Sequence, residues 1–302
     1  MIRAKALRSP LFYVGDKYKL IQEISTHFPD KISKFIEPFA GGGSVFLNIN
    51  ADEYLLNDIN VNVYYLHKFL MEQAKVPEFF FNEIEKIIEK YNLSRSYKEN
   101  IVPDELKRQW KKTYYAQFNK SGFEKLKNDF NKAEIKNYFQ FYLLLIYGFN
   151  RMIRFNTSGK YNLPVGNVDF NRNVVEALTD YFTVVNRKNL NWSNEDYIHF
   201  IRKTKPAKND FVYLDPPYLI TFSEYNKLWN ENKEEQLLNL LEELNKKGIR
   251  FAISNVTHYK NKENTIFSEW AKKYKMYPIK SNYISYYDNS IKNFKEVLIT
   301  NY

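Results

Sequence analysis

Residues 211–218, Phe-Val-Tyr-Leu-Asp-Pro-Pro-Tyr, are the segment of this sequence that is most informative about its fold. Its first half, Phe211 to Leu214, is an apolar run typical of a strand. Its second half begins with an acid and continues with two prolines, which fix the backbone in a rigid bend. In open α/β sheets, small-molecule sites collect where the strands end at their carboxyl edge. The stretch therefore predicts a strand that carries a binding site at its end.

Residues 215–218 have the chemistry needed to hold an amino group attached to a ring. Such a group presents two N–H donors in a plane, which the Asp215 carboxylate and the Pro216 carbonyl could both accept. Tyr218 would then stack on the ring. These contacts draw the nitrogen lone pair out of conjugation and direct it at an electrophile, which is electrostatic preorganisation. The four residues favour amine methylation, although an acid followed by prolines also occurs in ordinary turns.

A second motif, Pro38 to Ser44, follows a predicted strand at Lys34 to Glu37 and contains three consecutive glycines, which let the backbone approach a ligand closely. The loop lacks the lysine of a phosphate-binding loop, and Phe46 stands at the third glycine position of a dinucleotide fingerprint. The next strand, Tyr54 to Asn57, ends at Asp58, which is placed to hold ribose hydroxyls. S-adenosylmethionine satisfies these constraints. The alternatives are a plain glycine turn and a helix cap at Asp58.

Four blocks of sequence resemble the Dam-type family of DNA adenine N6 methyltransferases, in the D12 class. They are residues 12–17, 37–48, 154–164 and 215–218. Their order, with the glycine loop first and a long insert before the second motif, matches that family, and the closing strand within 295–302 is also similar. The resemblance spans almost the whole chain. It implies a site-specific DNA-methyltransferase (adenine-specific), EC 2.1.1.72, with S-adenosylmethionine as methyl donor and double-stranded DNA as substrate.

The resemblance also implies which residues bind the cofactor and the target base. Asp215, Pro216 and Tyr218 would hold the target adenine as the catalytic residues. Tyr13 stands where the family usually has tryptophan, and it preserves an aromatic face for the positively charged sulfonium. The residues implied in cofactor binding are Tyr13, Lys17, Phe39, Gly41, Gly43, Asp58, Asp196, Tyr197 and Asp215.

Residues 148–154 resemble the start of the family's recognition hairpin. Because a duplex hides adenine N6 in the stack, the target nucleotide must be extruded. Phe149 corresponds to an aromatic that wedges into the duplex, and Arg154 to an arginine that reads guanine O6 and N7. The implied DNA-binding residues are Phe149, Asn150, Arg151, Met152, Arg154 and Pro164, with Met152 and Pro164 at positions that touch a thymine methyl. The alternatives are a core position for Phe149 and phosphate neutralisation by Arg151, Arg154 and Lys160.

One departure from the family concerns the target site. Dam proteins carry a lysine just before the aromatic residue of the first block and use it to read the outer guanine, whereas this chain has Phe12. We therefore predict a site that shares a GAT or ATC core but differs outside it, as in the modification enzymes of restriction systems, with GATC as the other possibility. A cognate restriction endonuclease would then be a partner. The remaining alternatives are another acceptor (cytosine N4, RNA adenine or a protein glutamine) and a catalytically idle DNA-binding protein.

The composition agrees with a polyanionic partner. Lys and Arg number 45 against 35 Asp and Glu, for a net charge of +10, and the pI is near 9.2. Aromatic residues make up 18% of the chain, and some of them could stack on bases. The absence of cysteine excludes disulfides and thiol nucleophiles. The four histidines lack close metal-ligand spacing and are predicted to be surface or partly buried side chains, so no metal is expected.

No run of about 18 uninterrupted apolar residues exists to span a bilayer, and no secretory signal is evident at the N-terminus. We therefore expect a cytoplasmic protein with no membrane partner, working as a monomer.

Alternating strand and helix patterns predict the overall architecture. Further strands are predicted at Asn189–Trp192, Arg250–Ser254, Met276–Ile284 and Glu296–Thr300, and helices at Val61–Glu72, from about Pro103, at Asn137–Tyr147 and at Lys233–Lys247. The pattern predicts a doubly wound α/β fold, a mostly parallel seven-stranded Rossmann-like methyltransferase sheet with an inserted, mainly helical DNA-recognition domain. Residues 1–60 and 189–302 would form the catalytic domain that binds S-adenosylmethionine, and residues 61–188 the target-recognition domain, with a hairpin near 148–164.

Overall fold

A central sheet organises the protein. A computed structural model of the chain describes residues 5–99, 101–221, 229–280 and 293–302. The strands are β1 (Lys34–Glu37), β2 (Glu53–Asn57), β3 (Leu190–Ser193), β4 (Phe211–Leu214), β5 (Arg250–Tyr259), β6 (Lys262–Glu263), β7 (Lys275–Ile279) and β8 (Phe294–Thr300). Seven of them lie in the order β3-β2-β1-β4-β5-β8-β7, and the two-residue β6 pairs with β5 beside this path. Neighbours from β3 to β5 are parallel, whereas β8 is antiparallel to β5 and to β7. The predicted α/β fold with a mostly parallel sheet is confirmed.

Helices connect these strands and cover both faces of the sheet. They are α1 (Ile21–Ile24), α2 (Val61–Gln73), α3 (Pro77–Lys90), α4 (Asp104–Gln109), α5 (Tyr114–Lys132), α6 (Tyr138–Tyr147), α7 (Arg172–Val185), α8 (Tyr197–Thr204), α9 (Glu231–Lys246) and α10 (Thr265–Ala271). Asparagine side chains cap three of the predicted helices: Asn60 precedes α2, Asn137 precedes α6 and Asn230 precedes α9. Each accepts a backbone N–H from the first turn, which fixes where the helix begins.

The strand pattern places alternate side chains of β4 in two separate cores. Phe211 and Tyr213 belong to one buried cluster, and Val212 and Leu214 belong to the other. This follows from the two-residue period of a strand, since successive side chains point to opposite faces. Helices α8, α9 and α10 cover the second face. Because both faces are covered, all four residues of β4 are buried, as expected of a central parallel strand.

Two strands end five residues away from their predicted ends. Strand β5 continues to Tyr259 instead of ending at Ser254, because Asn255 pairs with β8 and its side chain donates to the buried Glu234 carboxylate at 2.9 Å. Because the polar Asn255 interrupts the apolar pattern, the sequence did not predict this continuation of the strand. Strand β7 begins at Lys275 and ends at Ile279, and residues 281–284 of its predicted range lie outside the described residues.

The segment between β2 and β3, residues 61–188, contains helices α2 to α7 and an irregular hairpin. Its buried aromatic side chains include Phe80, Phe123, Phe130, Phe141, Tyr142 and Tyr147. They form one continuous cluster with Phe35 and Tyr54 on the sheet. The segment therefore packs directly on the face of the sheet opposite α8, α9 and α10. No helix among the described residues is both long and apolar enough to cross a membrane.

Candidate active site

The ends of three parallel strands are joined by one asparagine side chain. Asn57, the last residue of β2, donates through Nδ2 to the Pro38 carbonyl after β1 and to the Glu195 carbonyl after β3, each at 3.0 Å. Its Oδ1 accepts the Glu195 N–H at 2.9 Å. The glycine loop and residues 195–197 are therefore held together at the carboxyl edge of the sheet, where the fold class places ligand sites.

The glycine loop and Asp58 are in direct contact. The Gly41 N–H donates to Asp58 Oδ2 at 2.8 Å, and the Asn60 N–H donates to Asp58 Oδ1 at 2.8 Å. Gly41 and Gly43 have φ of +49° and +80°, which favours glycine at both positions. The helix-cap alternative for Asp58 is wrong, because Asn60 caps α2. Burial raises the pKa of Asp58 to about 6.

Tyr13 packs against this loop. A Cβ at Gly42 would lie 2.6 Å from Tyr13 Cβ, and a Cβ at Gly41 would meet the Tyr13 ring at 3.4 Å. Lys17, four residues on, donates its backbone N–H to Ser44 Oγ at 2.9 Å. The first sequence block is thus fixed on the glycine loop, and it brings the Lys17 side chain to the end of β4.

Asp215, the first residue after β4, contacts two of the predicted site residues. Its Oδ2 lies 2.6 Å from Lys17 Nζ, and its Oδ1 accepts the Tyr218 hydroxyl at 2.8 Å. The Lys17 ammonium also lies 5.3 Å from the centre of the Tyr218 ring. Pro216, which follows Asp215 directly, is buried. The structure therefore brings Lys17, Asp215 and Tyr218 together.

Glu296 on β8 completes this cluster and was not predicted. Its Oε1 accepts the Tyr218 hydroxyl at 3.1 Å and lies 3.7 Å from Lys17 Nζ. Its side chain is only 6% exposed. A single acid directly before the apolar run Val297 to Ile299 is the sequence signal that could have identified it.

Acids outnumber cations around this cluster. Burial alone lowers the pKa of Lys17, but Asp215 and Glu296 beside it raise that pKa above its usual value, so Lys17 stays charged. Burial raises the pKa of Asp215, against the effect of Lys17. Glu37, at the end of β1, has its pKa raised well above the usual range by burial and by the charge of Asp215. A site with this charge excess favours a cationic ligand.

Two buried carboxylate oxygens near the cluster have no hydrogen-bond partner among the described residues. They are Glu37 Oε2 and Asp16 Oδ2. The pKa of Asp16 is also raised, chiefly by burial. A buried acceptor without a donor is costly, so these two atoms are available for donors of a ligand.

An aromatic wall lies beside the glycine loop. The Phe39 ring lies 5.1 Å from the Tyr197 ring and 5.8 Å from the Trp229 ring, centre to centre. Tyr197 is buried and donates its hydroxyl to the Lys233 carbonyl at 3.2 Å. Asp196 caps α8 by accepting the Ile198 N–H at 2.9 Å. The structure thus brings the predicted residues Phe39 and Tyr197 together. The sequence did not predict that Trp229 joins them, and Asp196 serves as the N-cap of α8.

His67 contacts the backbone of the glycine loop. Its Nε2 lies 2.9 Å from the Gly41 carbonyl oxygen, and its Nδ1 lies 3.0 Å from the Tyr181 hydroxyl. The imidazole stacks on Trp192 with ring centres 4.1 Å apart. The prediction of a surface or partly buried histidine is wrong here, because His67 is fully buried. Burial lowers its pKa to about 4, so the ring is neutral.

Residues 148–165 fold back on themselves as an irregular hairpin. Isolated bridges join Gly148 to Val165 and Phe155 to Tyr161, and the Asn156 N–H donates to the Lys160 carbonyl at 2.9 Å near its tip. Arg154 donates through Nε to Asn162 Oδ1 at 2.9 Å, which holds the guanidinium on the hairpin surface.

The other predicted DNA-contacting residues occupy different environments. Pro164 is exposed, and its carbonyl accepts the Phe149 N–H at 2.9 Å. Phe149 and Met152 are half-buried, with Met152 packed against the core. Asn150 is exposed and adopts a φ of +53°. Arg151 is directed away from the tip and lies over the Phe12 ring.

No group of three or more histidine, aspartate or glutamate side chains able to hold a metal ion occurs within the described parts of the chain.

Comparison with known proteins identifies the family. The family described as D12 class N6 adenine-specific DNA methyltransferase matches residues 13–284. Among similar proteins, the Type II methyltransferase M.FokI of Planomicrobium okeanokoites is 36% identical over 98% of this chain and 43% of its own length. Modification methylase StsI of Streptococcus sanguinis is 32% identical over 99% of this chain and 43% of its own. The DNA adenine methylase of Escherichia coli (strain K12) is 26% identical over 91% of this chain and 88% of its own.

The chain thus spans less than half the length of M.FokI and StsI. Because the family match covers most of the chain, the protein belongs to the D12 class N6 adenine-specific DNA methyltransferase family.

Proposed function

We propose that the protein is a site-specific DNA methyltransferase that moves a methyl group from S-adenosylmethionine to N6 of an adenine extruded from double-stranded DNA. The observation that carries the proposal is the Asp215 carboxylate at the end of β4, 2.6 Å from Lys17 Nζ and 2.8 Å from the Tyr218 hydroxyl. This places a carboxylate, the Pro216 carbonyl and an aromatic ring, the groups that would hold an aromatic amine, next to Lys17, which the first sequence block brings to the end of β4 from its position on the glycine loop.

The residues present fit S-adenosylmethionine. The cofactor carries two positive charges, on its sulfonium and its ammonium, and one negative charge, on its carboxylate. This net positive charge suits a site where acids outnumber cations. Glu37 and Asp16 offer the buried unpartnered oxygens that an ammonium needs, and Asp58 is placed for ribose hydroxyls. Lys17 would face the cofactor carboxylate. Tyr13 and Phe39 supply aromatic faces, with Gly41, Gly43, Asp196 and Tyr197 completing the pocket. When bound, the cofactor supplies an electrophilic methyl group.

The side chains of the chain itself would position and activate the amine. The Asp215 carboxylate and the Pro216 carbonyl accept the two N6 hydrogens, and the Tyr218 ring stacks on the base. The lone pair of N6 then points at the methyl carbon. Transfer would form the N–C bond at N6 as the C–S bond to the methyl group breaks, and N6 would then release one proton, for which the Asp215 carboxylate would be the acceptor. The contribution of these groups is positioning and charge stabilisation.

The target-recognition function is assigned to residues 61–188, and cofactor binding to residues 1–60 and 189–302. The hairpin supports this division, because it presents Arg154 and Pro164 at the surface. Phe149 would fill the gap left by the extruded adenine, and Asn150, Arg151 and Met152 would contact the same DNA.

The target site is proposed to share a GAT or ATC core and to differ from GATC outside that core. The similarity to a Type II methyltransferase and a modification methylase supports a role in a restriction-modification system, with a cognate restriction endonuclease as partner.

Single-molecule sequencing of genomic DNA incubated with the purified protein and S-adenosylmethionine tests both proposals. N6-methyladenine in one short motif would support the activity. Methylation confined to GATC would contradict the proposed site, and no methyladenine at all would favour another acceptor or an idle DNA-binding protein. Calorimetry with S-adenosylmethionine separates these last two, because an idle protein need not bind it.

A further inference from the structure

Two arginines share one aromatic ring next to the active site. The Arg151 guanidinium carbon lies 3.9 Å from the centre of the Phe12 ring, and the Arg8 guanidinium carbon lies 4.5 Å from it. Arg8 also lies 5.2 Å from the Tyr18 ring. Phe12 itself is buried and adopts a φ of +47°. Cation–π contacts of this kind hold a guanidinium in place without neutralising its charge.

Neither guanidinium forms an ion pair within the described parts of the chain. No carboxylate among the described residues lies within 4 Å of Arg8 or Arg151, whereas Arg95, Arg172 and Arg202 all have such a partner. The Nε atoms of Arg8 and Arg151 are buried and lack a hydrogen-bond acceptor in the described parts of the chain. Burial, together with the charge of Arg8, lowers the pKa of Arg151 to about 10, and it therefore stays protonated at neutral pH. Two adjacent half-buried cations, each with an Nε that lacks an acceptor, leave a place for an anion.

The pair lies between the active site and the hairpin. Phe12 directly precedes Tyr13, which packs on the glycine loop. Arg8 is close enough to Asp16 to lower the pKa of that carboxyl. The negative charge of Asp215 acts on the same carboxyl and raises its pKa. Arg151 belongs to the first arm of the hairpin. The pair therefore joins the hairpin, which carries the predicted DNA contacts, to the first sequence block, which packs on the glycine loop.

We propose that Arg8 and Arg151, held over the Phe12 ring, form a binding site for a backbone phosphate next to the extruded adenosine. The site rests on the proposed function, because a DNA substrate is what brings phosphates to this position. A guanidinium suits the task, since its fork matches two phosphate oxygens. The pair would also offset the repulsion between phosphates and the acids around Lys17. Phe12 then supports a phosphate contact and reads no base.

The salt dependence of DNA binding tests this site directly. The dissociation constant of a 20-base-pair duplex would be measured by fluorescence anisotropy across a series of NaCl concentrations for wild type, Arg8→Gln and Phe12→Leu. Losing one phosphate contact reduces the slope of log K against log [NaCl] by about 0.9. We expect that reduction for Arg8→Gln on duplexes with and without the target site. Phe12→Leu keeps an apolar side chain but removes the ring, and it should reduce the slope as well.

Arg202→Gln is the matched control, because Arg202 is paired with Glu243 at 3.4 Å on the opposite face of the sheet. Its slope should equal that of wild type. An unchanged slope in Arg8→Gln would overturn the phosphate site, and so would a loss of affinity limited to the target sequence, which would identify Arg8 as a base reader. The melting temperature of each variant shows whether it is folded. Absence of methyl transfer by wild type that still binds DNA would instead overturn the proposed function.

Discussion

Lys17 and Asp215 form a buried ion pair, with Nζ and Oδ2 2.6 Å apart, that joins the first sequence block to the end of β4. The pair leaves the second carboxylate oxygen to Tyr218. Lys17 also has Glu296 within 3.7 Å, so it would keep one anionic neighbour if Asp215 were removed. The fold is therefore less dependent on Asp215 than the chemistry is.

Replacing Asp215 with alanine should abolish methyl transfer while leaving the protein folded. The lost carboxylate acts in the transition state, and the removal of one such polar group commonly lowers kcat by about 10²- to 10³-fold. Methylation of a duplex with tritiated S-adenosylmethionine measures the effect, with the far-UV circular dichroism spectrum as the check on folding. Turnover close to wild type would show that the reaction occurs elsewhere.

Replacing Glu296 with glutamine should slow the reaction without preventing cofactor binding. The change removes an anion from beside Lys17 and weakens the second acceptor of the Tyr218 hydroxyl. We expect kcat to fall about tenfold, a loss of roughly 1.4 kcal/mol, with KM for S-adenosylmethionine little changed. Fluorescence of 2-aminopurine at the target position would report whether the extruded base is still held.

Glu269→Gln is the control for this variant, because Glu269 is exposed and pairs with Lys272 on the surface. Glu296→Gln could instead raise KM and lower the melting temperature while leaving kcat unchanged. That result would show that Glu296 has only a structural role.

Cofactor affinity should depend on pH through Asp58. Burial raises the pKa of this carboxyl to about 6, and only the ionised form accepts hydrogen bonds from ribose hydroxyls at both oxygens. The proton and the ligand therefore compete, so affinity rises with pH up to about 6 and then levels off. Below that pH, the dissociation constant should increase about tenfold per unit.

Calorimetry between pH 5 and pH 8 measures this dependence, and Asp58→Asn provides the comparison. The variant should bind more weakly at pH 8 and lose the inflection near pH 6. If both proteins showed the same inflection, another group such as Glu37 would be responsible.

The strand ends and their motifs were predictable because each depends on a short stretch of sequence. The apolar run before Asp215 and the glycines after Glu37 identify the carboxyl edge without any knowledge of distant residues. Glu296 and His67 were not predictable in this way. Glu296 contacts Tyr218 across 78 residues of sequence, and His67 contacts Tyr181 across 114. Such contacts exist only after the sheet and its covering helices have formed.

Neutral His67 should make stability fall in mild acid. The pKa of His67 is lowered from 6.5 to about 4 by burial, so the unfolded chain binds its proton first as pH falls. The stabilisation is complete above pH 6.5 and is lost as pH falls towards 4, by about 3 kcal/mol in all. Urea unfolding at several pH values should show this loss in wild type and in the exposed-site variant His199→Gln. The loss should be absent in His67→Gln, and identical curves for all three would contradict the buried neutral ring.

Arg154 should distinguish base reading from phosphate binding. Its guanidinium is oriented by Asn162 at 2.9 Å on the hairpin, which preorganises the fork for one guanine. Arg154→Ala should cost about 1–3 kcal/mol on the target duplex and relax the preference at one base pair. Lys160→Ala, at the exposed tip of the same hairpin, should instead weaken binding equally on all sequences. Anisotropy with duplexes altered at each position would measure both. A uniform loss for Arg154→Ala would identify that arginine as a phosphate contact.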